Sequence, residues 1–288
     1  MNVLISGSEG FIGLNLVKSL LKKKINVNGF GKSKKKSLIK YNYFQHNLLN
    51  KKKIPKQLSK HYDVIVHAAG MTSHYDIIKN KNFEKNSLKI SKNLLELFNK
   101  TKSKHLIFLS SGKVYRNNHK KFINLNTQTL PSNKLGKTKL KIEKFFLQNL
   151  KKGKLTILRI FLVYGKHQKN KMLIPEILNQ INEIKNKKQK NLILGNLEVK
   201  RDFIFVDDLT NIISQNILKK TSSKINIKNI ASGHSITPHE IASLLIKKYK
   251  VVTNIVVKKS KIRDDEADIE KVYVRNKTRS FYKCLKYL

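Results

Sequence analysis

Short apolar runs rich in β-branched residues punctuate the first half of the chain: "NVLIS", "INVNGF", "DVIVHAA", "KHLIFLSS" and "LTILRIF". They are separated by amphipathic stretches such as Phe11 to Lys23 and Glu84 to Lys100. A strand that is apolar along its whole length has to be covered on both faces, and a parallel neighbour is reached only through a long crossover. The alternation therefore predicts βαβ units and a doubly wound parallel sheet, an α/β fold. After about Gly165 the rhythm loosens. "MLIPEILNQINEI" predicts a helix with Pro175 near its start, and "VDDLTNIISQNIL" a helix that Asp207 can cap. "TPHEIASLLIKKY" predicts one with Thr237 at the N-cap, Pro238 at the first helical position and Glu240 completing a capping box. Residues 1–165 are thus read as one part and 166–288 as a smaller mixed α/β part, partly interleaved with the first, with a cleft between them.

Composition narrows the classes of function. With 288 residues, 40% of them hydrophobic, the chain can bury a sizeable core. No uncharged apolar run reaches the roughly 18 residues of a membrane span, and "NVLISG" follows Met1 without a signal-peptide pattern, so a cytoplasmic protein is expected. The single cysteine, Cys284, can form no internal disulfide and has no partners for a cysteine metal site. A formal charge of +43 first suggests nucleic acid. Only six of the 61 basic residues are arginine, however, and the lysines are scattered along the whole chain, so solvated surface lysines are the favoured reading. Such a surface still attracts polyphosphate ligands.

"ISGSEGFIG" sets Gly7, Gly10 and Gly13, with Phe11 and Ile12 between them, after the first strand and at the start of the first helix. The first glycine allows a tight turn, the second a close approach to a pyrophosphate, and the third close packing of helix on strand; the helix N-terminus then offers N–H groups to the phosphates. The pattern predicts a Rossmann-type dinucleotide site. A carboxylate at the end of the second strand would hold the adenosine ribose and favour NAD. Here that strand ends in Gly31, followed by Lys32, Ser33, Lys34 and Lys35, which favours NADP and leaves NAD open.

Taken together, "GSEGFIG", "DVIVHAAG" (Asp63 to Gly70), "NSLKISKNLLE" from Asn86, "FLSSGKVY" (Phe108 to Tyr115), "LRIFLVYG" (Leu158 to Gly165), "RDFIFVDDL" (Arg201 to Leu209) and "NIASG" (Asn229 to Gly233) resemble the extended short-chain dehydrogenase/reductase family over almost the full length. These are nucleotide-sugar epimerases, dehydratases and reductases. The resemblance implies that Ala68, Ala69 and Gly70 lie beside the cofactor, with Asn47 near the adenine and Leu48 and Asn86 also on the cofactor side. It implies that Ser111 holds the reacting sugar oxygen and that Lys139 binds the nicotinamide ribose. It assigns the substrate's pyrophosphate to Arg201 and Arg263, its nucleoside ribose to Glu266, and a substrate contact to Tyr115. Asp207 and Asp208 are read as cap and packing residues, not as an acid/base pair. Dimers are usual in the family, which leaves a homodimer open.

One position breaks the pattern. The family has a tyrosine four residues before the lysine, and "KLGKTK" has Leu135 there, which cannot transfer a proton. Tyr75 with Lys79, Tyr273 with Lys277 and Tyr282 with Lys286 share the spacing, but none lies in the helix that follows the Ser111 strand. Leu162 likewise stands where the family often has asparagine. The reading is an NADP-linked nucleotide-sugar reductase or epimerase, with a catalytically silent cofactor and sugar-nucleotide binding protein as the alternative and nucleic-acid binding as a minor one.

Overall fold

A computed structural model describes residues 1–50, 55–70, 77, 79–115, 122–166, 168, 172–219, 222–262, 269–274 and 278–288. The expected alternation is present. In chain order the first part contains β1 (Asn2–Ser6), α1 (Phe11–Lys22), β2 (Asn26–Gly31), β3 (Asn42–Gln45), β4 (Val64–His67), α2 (Phe83–Lys100), β5 (His105–Ser111), β6 (Phe122–Ile123), α3 (Lys134–Asn149) and β7 (Lys154–Ile160). There follow β8 (Leu162–Tyr164), α4 (Leu173–Lys185), β9 (Leu192–Leu194), β10 (Arg201–Phe205), α5 (Val206–Leu218) and β11 (Ile225–Ile230). The chain closes with β12 (Ser235–Ile236), α6 (Pro238–Tyr249), β13 (Ile255–Val257), β14 (Lys271–Val272) and the short α7 (Phe281–Cys284).

The central sheet has seven strands in the order β11-β7-β5-β4-β1-β2-β3. Every pairing in it is parallel. The chain winds outward from β1 to β3 and then returns to β4 on the other side of β1. That reversal opens a crevice at the carboxyl ends of β1 and β4, where ligands of open α/β sheets bind. Side chains alternate across the sheet as a period of two requires. Val3 and Ile5 share one core with Leu16, Leu20, Leu209 and Ile213, whereas Leu4 faces another built with Leu94, Phe98, Ile142 and Phe146. Helices α1 and α5 thus cover one face, and α2 and α3 the other.

The boundary near residue 165 is crossed twice. Strand β11 rejoins the central sheet beside β7, and α5 packs its Leu209, Ile212 and Ile213 into the core of the first part. The rest of the C-terminal part has its own core, including Tyr164, Ile177, Phe203, Phe205, Ile241, Leu245 and Phe281. Small sheets β8-β10-β12 and β9-β13 support it.

The capping box on α6 forms as expected: the Glu240 N–H donates to Thr237 Oγ1 (3.1 Å) and the Thr237 N–H to Glu240 Oε2 (2.8 Å). The expected cap on α5 does not. Strand β10 runs directly into the helix, so Phe205 takes the N-cap position and Asp207 and Asp208 fall inside the first turn. There their charges complement the helix dipole. Asp208 also binds Arg279, through Nε (2.9 Å to Oδ1) and Nη2 (2.6 Å to Oδ1), and the guanidinium lies 5.2 Å from the ring centres of both Phe205 and Tyr287. This contact pins the C-terminal segment to the start of α5.

Among the described residues the non-glycine positions with positive φ are Lys24 (56°), Lys102 (49°), Lys187 (57°) and Lys250 (51°). Each follows the end of a helix, the position that usually carries glycine. Lys250 closes α6 with bonds from its own N–H to Lys247 O and from the Val251 N–H to Ile246 O. Replacing Lys250 with glycine removes the Cβ conflict of the left-handed conformation at some cost in unfolded-state entropy. The expected outcome is a gain of about 0.5–1 kcal/mol, read as a higher melting temperature. A lower melting temperature would show that the lysine side chain itself supports the cap.

Candidate functional site

The site is built at the crevice between β1 and β4. Gly7 has φ +70°, and a Cβ there would lie 2.8 Å from Ala69 Cα. A Cβ at Gly13 would lie 2.2 Å from Gly7 O. The loop after β1, the loop after β4 and the first turn of α1 are therefore packed backbone on backbone. Ser6 ties the two loops together: its Oγ accepts from the Ala69 N–H (3.2 Å) and lies 3.0 Å from His67 Nδ1. Ala68, Ala69 and Gly70 thus sit beside the glycine loop. Gly10 is the N-cap of α1, with no side-chain cap and no acid in the first turn. The N–H groups at Phe11 and Ile12 need an acceptor from elsewhere, and an anion is the natural one. A cradle that lacks Cβ atoms at Gly7, Gly10 and Gly13 and is floored by helix N–H groups fits the pyrophosphate of a dinucleotide.

Strand β5 and helix α3 bring the expected chemical groups to the same edge. Ser111 ends β5 and starts the tight turn 112–114, its Oγ accepting from the Lys113 N–H (3.2 Å). A Cβ at Gly136 would lie 2.0 Å from Lys113 O, so the first turn of α3 presses directly on that turn. Asn133 caps α3 by accepting from the Gly136 N–H (2.8 Å). Leu135 and Lys139 then lie one turn apart on one face of α3. Lys139 Nζ donates to Leu109 O (2.7 Å), two residues before Ser111, and stands 4.8 Å from the ring centre of Phe108. Burial pulls the Lys139 pKa down to about 8, against the opposing charge of Glu143.

His67, which the motif reading passed over, links these parts. It is buried between Ser6 and Ser91, whose Oγ is 3.1 Å from Nε2, and it borders a small cleft with Thr138 and Lys139. Burial, helped by the Lys139 charge, lowers its pKa to about 3, so it is neutral at physiological pH. Its role is to hold the ends of β1 and β4 and the middle of α2 in register.

Two of the expected contact residues have partners within the protein. Tyr115 is buried, and its hydroxyl donates to Asn229 Oδ1 (2.6 Å) and accepts from Arg159 Nη1 (3.1 Å). The turn after Ser111 folds it back over β7 and β11, where Arg159 and Asn229 are paired in register. Arg159 in turn binds Glu143 (Nη2 to Oε2, 2.8 Å), which also accepts from Ser110 Oγ. Leu48 is a core residue, and its carbonyl is taken by Asn93 Nδ2.

The other expected residues fall as follows. Asn47 Oδ1 accepts from the Leu49 N–H (3.0 Å) and closes the turn after β3. Asn86 is half-buried on α2, and Lys32 is exposed directly after β2. Arg201 begins β10, half-buried, and its neighbour Asp202 accepts from the N–H groups of Ser232 (2.6 Å) and Gly233 (2.7 Å). Arg263 and Glu266 lie outside the described residues, as do Tyr75 and Lys277 of the alternative tyrosine–lysine pairs. Tyr282 is exposed in the C-terminal helix α7. A wider cleft at the head of α4 is lined by Gly165, Lys166, Gln168, Pro175, Asn179 and Leu288. Among the described residues, no group of histidine, cysteine, aspartate and glutamate could hold a metal ion, and no helix is long and apolar enough to cross a membrane.

Comparison with known proteins is consistent with this geometry. Residues 3–231 match the model of the NAD-dependent epimerase/dehydratase family. The chain is 25% identical over 261 residues to the ADP-L-glycero-D-manno-heptose-6-epimerase of Brachyspira hyodysenteriae, covering 86% of this chain and 81% of the relative. It is 29% identical over 259 residues to the dTDP-4-dehydro-6-deoxyglucose reductase of Escherichia coli, covering 82% and 78%. In fold it is similar to MoeE5 solved with UDP-glucose and NAD (TM-score 0.85, 19% identity, covering 100% of this chain and 97% of the other). It is also similar to the UDP-glucose 4-epimerase of Thermotoga maritima (TM-score 0.81, 21% identity, 96% and 90%).

Proposed function

The chain belongs to the NAD-dependent epimerase/dehydratase family, and we propose that it reduces or epimerises the sugar of a nucleoside-diphosphate sugar. The observation that carries this reading is the convergence of the glycine cradle, Ser111 and Lys139 on one edge of the sheet. A bound nicotinamide dinucleotide supplies hydride exchange with a sugar carbon. Gly7, Gly10, Gly13 and the start of α1 would hold its pyrophosphate, with Ala68 to Gly70 alongside. Lys139, freed from the Leu109 carbonyl, would bind the nicotinamide ribose with its ammonium group. Ser111 would hold the sugar oxygen that gains or loses the proton. Arg201 would meet the substrate's pyrophosphate from the C-terminal part, since a guanidinium fork matches phosphate oxygens. The NADP preference expected from Lys32 and the missing strand-end carboxylate meets an opposing charge in Glu9, whose carboxylate reaches from the glycine loop to Lys36, Ser37 and Tyr41 after β2.

Leu135 favours a second reading, a protein that binds cofactor and sugar nucleotide without turnover. The purified protein, given NADH or NADPH and a panel of dTDP-, GDP- and UDP-linked 4-ketosugars, is expected to oxidise the cofactor with at least one. UDP-glucose and related hexoses test epimerisation in parallel. Tight binding with no turnover on any substrate would establish the second reading in place of the first.

A further inference from the structure

The segment between β2 and β3 is gathered around a side chain that the glycine-loop pattern does not predict. Glu9 extends from the loop after β1 to residues 36–41. Its Oε2 accepts from the backbone N–H groups of Lys36 (2.9 Å) and Ser37 (2.8 Å). Its Oε1 accepts from Ser37 Oγ (2.7 Å) and from the Tyr41 hydroxyl (2.6 Å). The Tyr41 oxygen is also 3.0 Å from Ser8 Oγ, and Lys35 Nζ lies 4.6 Å from the Tyr41 ring centre. Successive backbone N–H groups flanked by hydroxyls and an ammonium form an anion-binding concavity of the kind that receives phosphates. In this chain the anion is internal. Burial raises the Glu9 carboxyl, but the bonds from Tyr41, Lys36 and Ser37 together outweigh it and keep the group ionised at neutral pH.

The position of this concavity gives it a consequence. With a pyrophosphate on the glycine loop, the adenosine ribose of a dinucleotide lies toward the end of β2. A side chain at the strand end would press on Tyr43, because a Cβ at Gly31 would come 3.0 Å from the Tyr43 hydroxyl, which is itself bound to Ser33 O (2.5 Å) and would have to yield by a few tenths of an ångström. Negative charge reaches the region from the opposite wall instead. A ribose 2′-phosphate would have to displace Glu9 from its donors or sit beside it, and at such short range like charges repel strongly. The lysines at 32, 34, 35 and 36 offset part of this but do not remove it, since the donors best placed for phosphate are already taken.

We propose that Glu9 is an internal anion that fills the phosphate-binding concavity of the β2–β3 segment and so selects NAD over NADP. The proposal rests on the reading that a dinucleotide seats on the glycine loop. Its test is equilibrium binding of NADH and NADPH, followed by cofactor fluorescence and calorimetry, to the unmodified protein and to the Glu9→Gln and Glu9→Ser variants. The unmodified protein is expected to bind NADH about tenfold or more tighter than NADPH. Both variants are expected to narrow that ratio about tenfold, chiefly by tightening NADPH, with NADH changed by less than about threefold. ADP against 2′,5′-ADP should repeat the pattern without the nicotinamide, and thermal melting checks that both variants are folded. Equal or tighter NADPH binding by the unmodified protein, a ratio unmoved in both variants, or equal loss of both cofactors would overturn the role of Glu9 and leave the dinucleotide reading standing. Binding of neither cofactor by the unmodified protein would overturn the dinucleotide reading and this inference with it.

Discussion

Replacing Leu135 with tyrosine is expected to raise kcat on the protein's sugar-nucleotide substrate by about 10²–10⁴-fold, the range that a positioned acid–base group contributes. Cofactor affinity should change little. The expectation rests on what surrounds the position. Helix α3 begins against the turn that Ser111 starts, with Gly136 so close to Lys113 O that no larger residue fits there. The neighbouring Leu135 is half-buried, one turn above Lys139, so a phenol would extend from the same helix face as the ammonium. A cation at that distance favours the phenolate and brings its pKa toward the working pH. Unchanged kcat in Leu135→Tyr would show that another group already moves the proton. Activity in the variant where the unmodified protein has none would identify the natural chain as a binding protein.

What the sequence made legible was local. Strand and helix alternation, the glycine turn and the Thr237–Glu240 box all depend on residues within a few positions of one another, and all are present as expected. The register of Ser111 and Lys139 was legible because a strand, a tight turn and a helix of ordinary length separate them. The missed contacts are distant ones. Tyr115 turns inward because Asn229, 114 residues away, stands beside Arg159 on the neighbouring strand. Asp208 is claimed by Arg279, 71 residues later, a partner that its own neighbourhood does not show. Glu9 reads as one variable residue between glycines until its partners 27 to 32 residues on are brought beside it. The division at residue 165 was blurred by the same effect, since only the folded sheet shows that β11 belongs beside β7.

The second large effect is expected at Glu143. Its carboxylate is almost wholly buried, binds the Arg159 guanidinium at 2.8 Å and also accepts from Ser110 Oγ. Removing one member of a buried pair leaves the other charge without compensation, which typically costs about 3–5 kcal/mol. Glu143→Leu should therefore lower the melting temperature by about 10 °C or more. The double replacement Glu143→Leu with Arg159→Met should recover most of that loss, because it removes both buried charges together. A single variant that melts within a degree or two of the parent would show that water or rearrangement supports Arg159 without its partner. The single variant also reaches the site. Glu143 is the charge that partly offsets the burial of Lys139, so its loss should push the Lys139 pKa further below about 8. If cofactor binding needs that ammonium, the affinity of Glu143→Leu for NADH should fall away at a lower pH than that of the parent. Coincident pH profiles of the two folded proteins would separate Lys139 from cofactor binding.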